Sequence, residues 1–172
     1  SSTSYGIGAN ATVKLGTGYD ATYVNTLYAG TNTNAYLSNY NTVDVTKTAA
    51  AYGTTGGITT IQHGTTNSGT ALTSWTSDKI VFNSVATIAN VNVSAATSLA
   101  AALSTADAVA EGSGSSATQH ALVWFQYGGD TYILQSENTG DQTSGVDTTD
   151  IVVKVVGIND VTSVSSGVVT IA

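Results

Sequence analysis

Only one stretch of this chain carries a helical period. Leu99, Leu103, Ala106 and Ala110 fall at the i, i+4, i+7, i+11 spacing of a single apolar stripe. Thr97 is placed to cap a helix running from Ser98 to Ala110, and Glu111-Gly112 closes it. The stripe is narrow and rich in Ala, which suits close packing on a sheet. Everything else comes in short β-branched and aromatic runs. They are Ala11–Leu15, Ala21–Tyr28, Ala35–Leu37, Thr42–Thr46 and Ile58–Gln62, separated by Gly- and Asn-rich turns. Ser77 to Phe82 reads as a turn feeding a buried strand. Ala121–Tyr127 and Thr131–Gln135 around Gly128-Gly129-Asp130 form the strongest hairpin signal, followed by a strand from Asp150 to Val156 and an alternation over Val168–Ile171. The pattern predicts a mainly β chain, a β-sandwich or an irregular β-roll-like domain, with one helix over residues 97–110. A Thr-, Asn- and Tyr-rich region, 1–75, precedes a sandwich-like region, 76–172, and the two could share a core. No repeat of fixed period is visible, which argues against a regular solenoid.

Charge narrows the functions open to such a chain. Four lysines (Lys14, Lys47, Lys79, Lys154) and no Arg face eleven acidic residues in 172, a net charge of −7. Nucleic acid and anionic membrane surfaces are poor partners, since both need clustered basic residues. No apolar run reaches the length of a membrane-spanning helix. With no Cys there is no thiol nucleophile, disulfide or Cys-ligated zinc. Because only 9% of residues are charged, Thr, Ser, Asn and Tyr dominate the polar surface, and such surfaces meet at modest desolvation cost. A chain that opens on Ser is expected to be a mature product or a piece of something longer.

Catalysis is not expected. His63 and His120 have no carboxylate within four residues, and the nearest approach to a nucleophile elbow, Gly112-Ser113-Gly114-Ser115-Ser116, lacks its last glycine. Glu111 and Glu137 are the only glutamates. The acidic residues have a more telling distribution: Asp130, Glu137, Asp141, Asp147 and Asp150 crowd the turn and loop around the last strands. Loops of this kind hold calcium by combining carboxylates with free backbone carbonyls, though EF-hand spacing is absent and turn formation alone also explains Asp there. Seven of the nine tyrosines precede residue 53. Core packing is the expectation for those rings, with a subunit contact as the alternative. Trp75, Trp124 and the tyrosines also fit stacking on a cell-surface polysaccharide, with burial the expected fate of Trp124.

Five pieces in order carry a resemblance. They are Thr76-Ser77-Asp78-Lys79-Ile80-Val81-Phe82, the Ala-rich helix, the run from Val123 to Leu134 with its Gly-Gly-Asp-Thr-Tyr centre, an Asp-containing loop, and the run from Thr149 to Ile158. From about Ser77 to Ala172 the chain resembles the C-terminal regions of RTX-type bacterial proteins exported by type I secretion, including surface-layer proteins and adhesins. The segment Leu15 to Val24 is a degenerate echo of that family's calcium-binding nonapeptide and adds Asp20 to the candidate ligands. The resemblance implies a secreted protein carrying a C-terminal secretion signal. It implies calcium as the cofactor, with Asp20, Asp130, Asp141, Asp147 and Asp150 as candidate ligands, and assembly with copies of itself. A surface-layer or filament subunit is the first expectation, and the secretion and folding module of a larger adhesin or enzyme is the alternative.

Overall fold

The computed structural model describes residues 3–6, 8–16, 25–30, 32–38, 40–46, 58–63, 78–83, 88–112, 121–136, 145–147 and 150–171. The first seven strands are β1 (Thr3–Gly6), β2 (Thr12–Lys14), β3 (Asn25–Tyr28), β4 (Asn34–Leu37), β5 (Asn41–Asp44), β6 (Thr59–His63) and β7 (Lys79–Val81). They alternate between two sheets: β1, β3, β5 and β7 pair in parallel in one, and β2, β4 and β6 in the other. Each strand thus lies beside the one two before it, as in a β-roll. After them come β8 (Ile88–Asn90), the helix α1 (Leu99–Glu111), β9 (Ala121–Tyr127), β10 (Asp130–Ser136), β11 (Ile151–Val155), β12 (Val161–Ser165) and β13 (Val168–Ile171). These extend both sheets, to the orders β1-β3-β5-β7-β13-β12 and β2-β4-β6-β11-β10-β9-β8. The described chain is mainly β with a single helix, as its periodicities require.

Side chains line up in columns across the roll. Tyr5, Leu27, Val43, Ile80 and Val169 occupy one register position of the first sheet. Val13, Ala35, Ile61 and Val155 do so in the second. Leu27, Val43, Ile80, Ala35, Ile61 and Val155 are buried together with Ile133, Val153 and Ile171, so one core contains residues from both halves of the chain. The second sheet has a second buried face, where Val123, Phe125, Tyr132, Leu134 and Val152 meet Ala102, Leu103, Ala106 and Ala110 of α1. Phe125 and Tyr132 stack there at 5.3 Å between ring centres. Covering on both faces is why β10 and β11 are buried almost without interruption rather than at alternate residues.

Polar columns fix the register. Asn25 pairs with Asn41, and the following strand brings Asp78 beside Asn41. Buried Asn41 donates from its side-chain amide to Gly16 O (2.9 Å) and from its backbone to Asp78 Oδ1 (2.8 Å). Its Oδ1 accepts from Ser38 N–H at 2.7 Å. Asn25 donates to the same Gly16 carbonyl at 2.8 Å.

Several expectations are corrected. A local repeat does exist: Gly8 and Asn10 stack against Gly30 and Asn32, 22 residues further along. Asn32 Nδ2 donates to Asn10 Oδ1 at 2.8 Å, and both asparagines are left-handed, φ 60° and 55°. The two segments approach so closely that a Cβ on Gly30 would lie 2.6 Å from the Gly8 backbone. The repeat is hard to see because successive turns differ in length: Thr3 pairs with Asn25, Asn25 with Asn41, but Thr42 with Lys79. The helix is capped one residue later than expected. Ser98 is extended (φ −152°, ψ 162°), and its hydroxyl accepts from Ala101 N–H at 3.1 Å, so Thr97 is not the N-cap. Among the described tyrosines of the first region none fills the core. Tyr5 and Tyr28 are 45% and 48% exposed, and Tyr36 and Tyr40 are half-buried. Leu, Val, Ile and Ala occupy the inward columns instead. Strands β1, β8 and β12 have no counterpart among the sequence-predicted strands.

Candidate functional site

Acidic side chains gather where α1 ends and β11 begins. Asp107 is fully buried on the inner face of the helix, one turn before the mostly buried Glu111. Gly145 N–H donates to Asp107 Oδ2 at 3.1 Å, tying the segment before β11 to the helix. In that segment Asp147 N–H donates to Oδ2 of buried Asp150 at 2.8 Å. Asp107 Oδ1 is buried without a hydrogen-bond partner.

Burial pushes the Asp107 carboxyl up to about 7, and the negative charges of Asp150, Glu111 and Asp147 push the same way against the single Gly145 N–H bond. The helix adds to this, since its last turn has no basic residue and its carbonyl end is itself negative. Asp107 and Glu111 are absent from the sequence-derived ligand set. Their i, i+4 spacing beside the Leu103–Ala106–Ala110 stripe was the available signal.

The sequence-predicted ligands are scattered. Asp147 and Asp150 belong to this acidic group. Asp130 does not: β10 and β11 run antiparallel, with Thr131 opposite Val155 and Gln135 opposite Ile151, so Asp130 lies roughly 20 Å from Asp150 at the other end of the pair. Its Oδ2 is ion-paired with Lys154 Nζ at 2.6 Å, and its Oδ1 accepts from Gly157 N–H at 2.9 Å. Partial burial pushes the Asp130 carboxyl up, but Lys154 and the Gly157 N–H outweigh it and hold the group below its ordinary value. Asp20 and Asp141 lie outside the described residues, as do Glu137, His120 and Trp75. Among the described residues no group of three acidic or His side chains is arranged to hold a metal ion. Trp124 is half-buried against the core between the sheets, and His63 ends β6.

A different feature marks the end of the roll. β1 and β2 are the edge strands there, and every residue of β1 is exposed. The core columns run out at Tyr5, nearly half exposed, and at the half-buried Val13. The opposite edges are β12 and β8. Of the residues in these four edge strands only Lys14 is charged, and its ammonium sits 5.4 Å above the Tyr36 ring. Edge strands are ordinarily protected by Lys, Pro or bulges, because unpaired N–H and C=O groups invite pairing with another chain. Here Lys14 guards β2 and β12 has an irregular register beside Val161, while β1 and β8 carry neither Lys nor Pro.

No protein-family model matches the chain, and no curated protein sequence matches it.

Proposed function

We propose that this chain is a non-catalytic structural protein of the bacterial cell exterior that assembles with copies of itself into a surface layer or filament. The observation that carries the reading is the exposed end of the roll, where β1 and β2 are edge strands among the described residues. Coiled β architectures need a polar cap on their terminal turn to remain separate. In this chain the columns ending at Tyr5 and Val13 present unfinished core and two parallel edges at once. A second copy offering its β12 and β8 edges would pair both sheets and cover Tyr5. Head-to-tail contacts of this kind propagate rather than close. The low charge of the edges supports the reading, since little must be desolvated to bring them together.

Calcium enters as part of the same proposal. Copies carrying a net charge of −7 repel one another, and a divalent cation shared between acidic surfaces would lift that repulsion. The described carboxylates do not by themselves converge on an ion, so no geometry is assigned to it.

Light scattering and electron microscopy with calcium and with a chelator test the proposal. Ordered arrays or fibres are expected with calcium, and their dispersal with the chelator. Tyr5→Lys combined with Thr12→Lys, both at exposed positions of the edge strands, should abolish assembly without lowering the melting temperature. A monomer that persists at high concentration in both conditions would overturn the reading in favour of a secretion module.

A further inference from the structure

A groove of about 480 Å³ lies on the other side of the molecule, between the segment that follows β8 and the β9–β10 turn. Its chemistry is set by Asn90, Asn92, Ser94, Gln126 and Tyr127, with the Val93 backbone beneath them. We propose that this groove binds a neutral polyhydroxylated ligand, a hexopyranosyl glycan. The inference goes beyond the assembly reading and is tested on the dispersed chain, because Asn90 lies on the β8 edge that assembly would pair with another copy.

Three observations carry it. First, none of the described residues lining the groove is charged. It offers no countercharge to phosphates, carboxylates or metal ions, and the ligand that fits is uncharged. Second, its polar groups are held by one end and open at the other. Asn92 Oδ1 accepts from Ser94 N–H at 3.0 Å, which leaves the Asn92 amide N–H groups uncommitted. Gln126 Nε2 donates to Asn159 O at 3.2 Å, which leaves Gln126 Oε1 as a free acceptor. The Ser94 and Tyr127 hydroxyls and Asn90 Oδ1 have no protein partner either. Donors and acceptors thus share one short cleft, matching sugar hydroxyls that both give and accept hydrogen bonds. Third, the wall is rigid. Val91 and Val93 are buried in the core beneath α1, Val91 N–H donates to Trp124 O at 2.8 Å, and Ala96 N–H donates to Val93 O at 2.9 Å. Polar groups positioned before the ligand arrives lose little entropy on binding it. Half-buried Tyr127 packs on the same core and supplies the aromatic surface on which a pyranose ring can rest. An extended peptide would need apolar pockets for its alternate side chains, and the exposed Asn90, Asn92 and Ser94 do not make them.

The test is ligand-observed NMR titration of the full chain with cellohexaose, maltohexaose and mannohexaose, and with hexagalacturonate as the charged comparison. At least one neutral hexasaccharide should bind saturably, with Kd on the order of 1 mM or tighter. Tyr127→Ala and Asn92→Ala should each weaken that binding about tenfold. Tyr28→Ala, which removes a more exposed tyrosine on the other sheet, should leave it unchanged. Asn92 is exposed, so its replacement tests the groove even if the Tyr127 variant fails to fold. No saturable binding of any neutral hexasaccharide, stronger binding of hexagalacturonate, or equal losses in the Tyr28 variant would each overturn the assignment. Scattering recorded on the same samples separates a failed groove from failed assembly.

Discussion

Replacing Asp107 by Asn should make the protein more stable at pH 8 and leave it nearly unchanged at pH 4. The substitution keeps the size of the side chain and an oxygen to accept the Gly145 N–H, but removes a charge from a fully buried position beside Asp150, Glu111 and Asp147. The Asp107 carboxyl is raised from 3.8 to about 7 in the folded protein. Between those values the unfolded chain has released its proton and the folded one has kept it. Stability is therefore fully present below about pH 4 and falls as pH rises to about 7, after which the loss is complete. At 1.36 kcal/mol per unit, a shift of roughly three units sets a ceiling of about 4 kcal/mol. Relaxation of the segment 145–150 and water reaching the carboxylates should halve it, to about 2 kcal/mol. For a chain of this size that corresponds to a gain of roughly 4–8 °C in Tm. Asp78, pushed up to about 7 by its burial against the pull of the Asn41 N–H, titrates the same way in both proteins and cancels in the difference. The assay is urea unfolding of both proteins at pH 4, 6 and 8 in the presence of a chelator, so that cation binding cannot contribute. Equal stabilities at pH 8, or a difference that does not change with pH, would refute the reasoning.

Gly30→Ala should cost about 2 kcal/mol, since its Cβ would meet the Gly8 backbone at 2.6 Å and force the stacked turns apart; thermal melting reads the loss. Ser98→Ala should destabilise by about 1 kcal/mol through loss of the bond from Ala101 N–H, while Thr97→Ala should change little, and urea titration of the pair separates the two capping assignments. Asn41→Ala should cost about 3 kcal/mol, because it strands the Ser38 N–H and removes a donor to Gly16 O inside the protein; chemical unfolding checks it.

Local patterns were legible wherever the chemistry is local. The helix period, the hairpin at Gly128-Gly129, with both glycines left-handed at φ 61° and 91°, and the short strands β2 to β6 follow from sequence spacing and turn chemistry. Strand ends moved by a residue or so: Ala35–Leu37 became Asn34–Leu37 and Ile58–Gln62 became Thr59–His63. Strands β1, β8 and β12 escaped notice because each is a short edge strand. Such strands need no apolar alternation when one side meets solvent.

What the sequence by itself determined is the inventory: a chain dominated by β-branched runs, punctuated by Gly and Asn, with one amphipathic helix and almost no charge to spend on its edges. Tertiary structure alone decided how the runs stack. The stacked turns at Gly8 and Gly30 repeat in space while the loops between strands vary in length, and register is set by backbone pairing and asparagine contacts rather than by spacing along the chain. It also decided which acids matter. Asp130 and Asp150 look alike in the sequence, yet antiparallel pairing sends one to Lys154 and the other toward Asp107 on a distant helix. The ionisation of a carboxyl depends on which charges and how much water lie within a few ångströms of it, and those neighbours come from parts of the chain that only folding brings together.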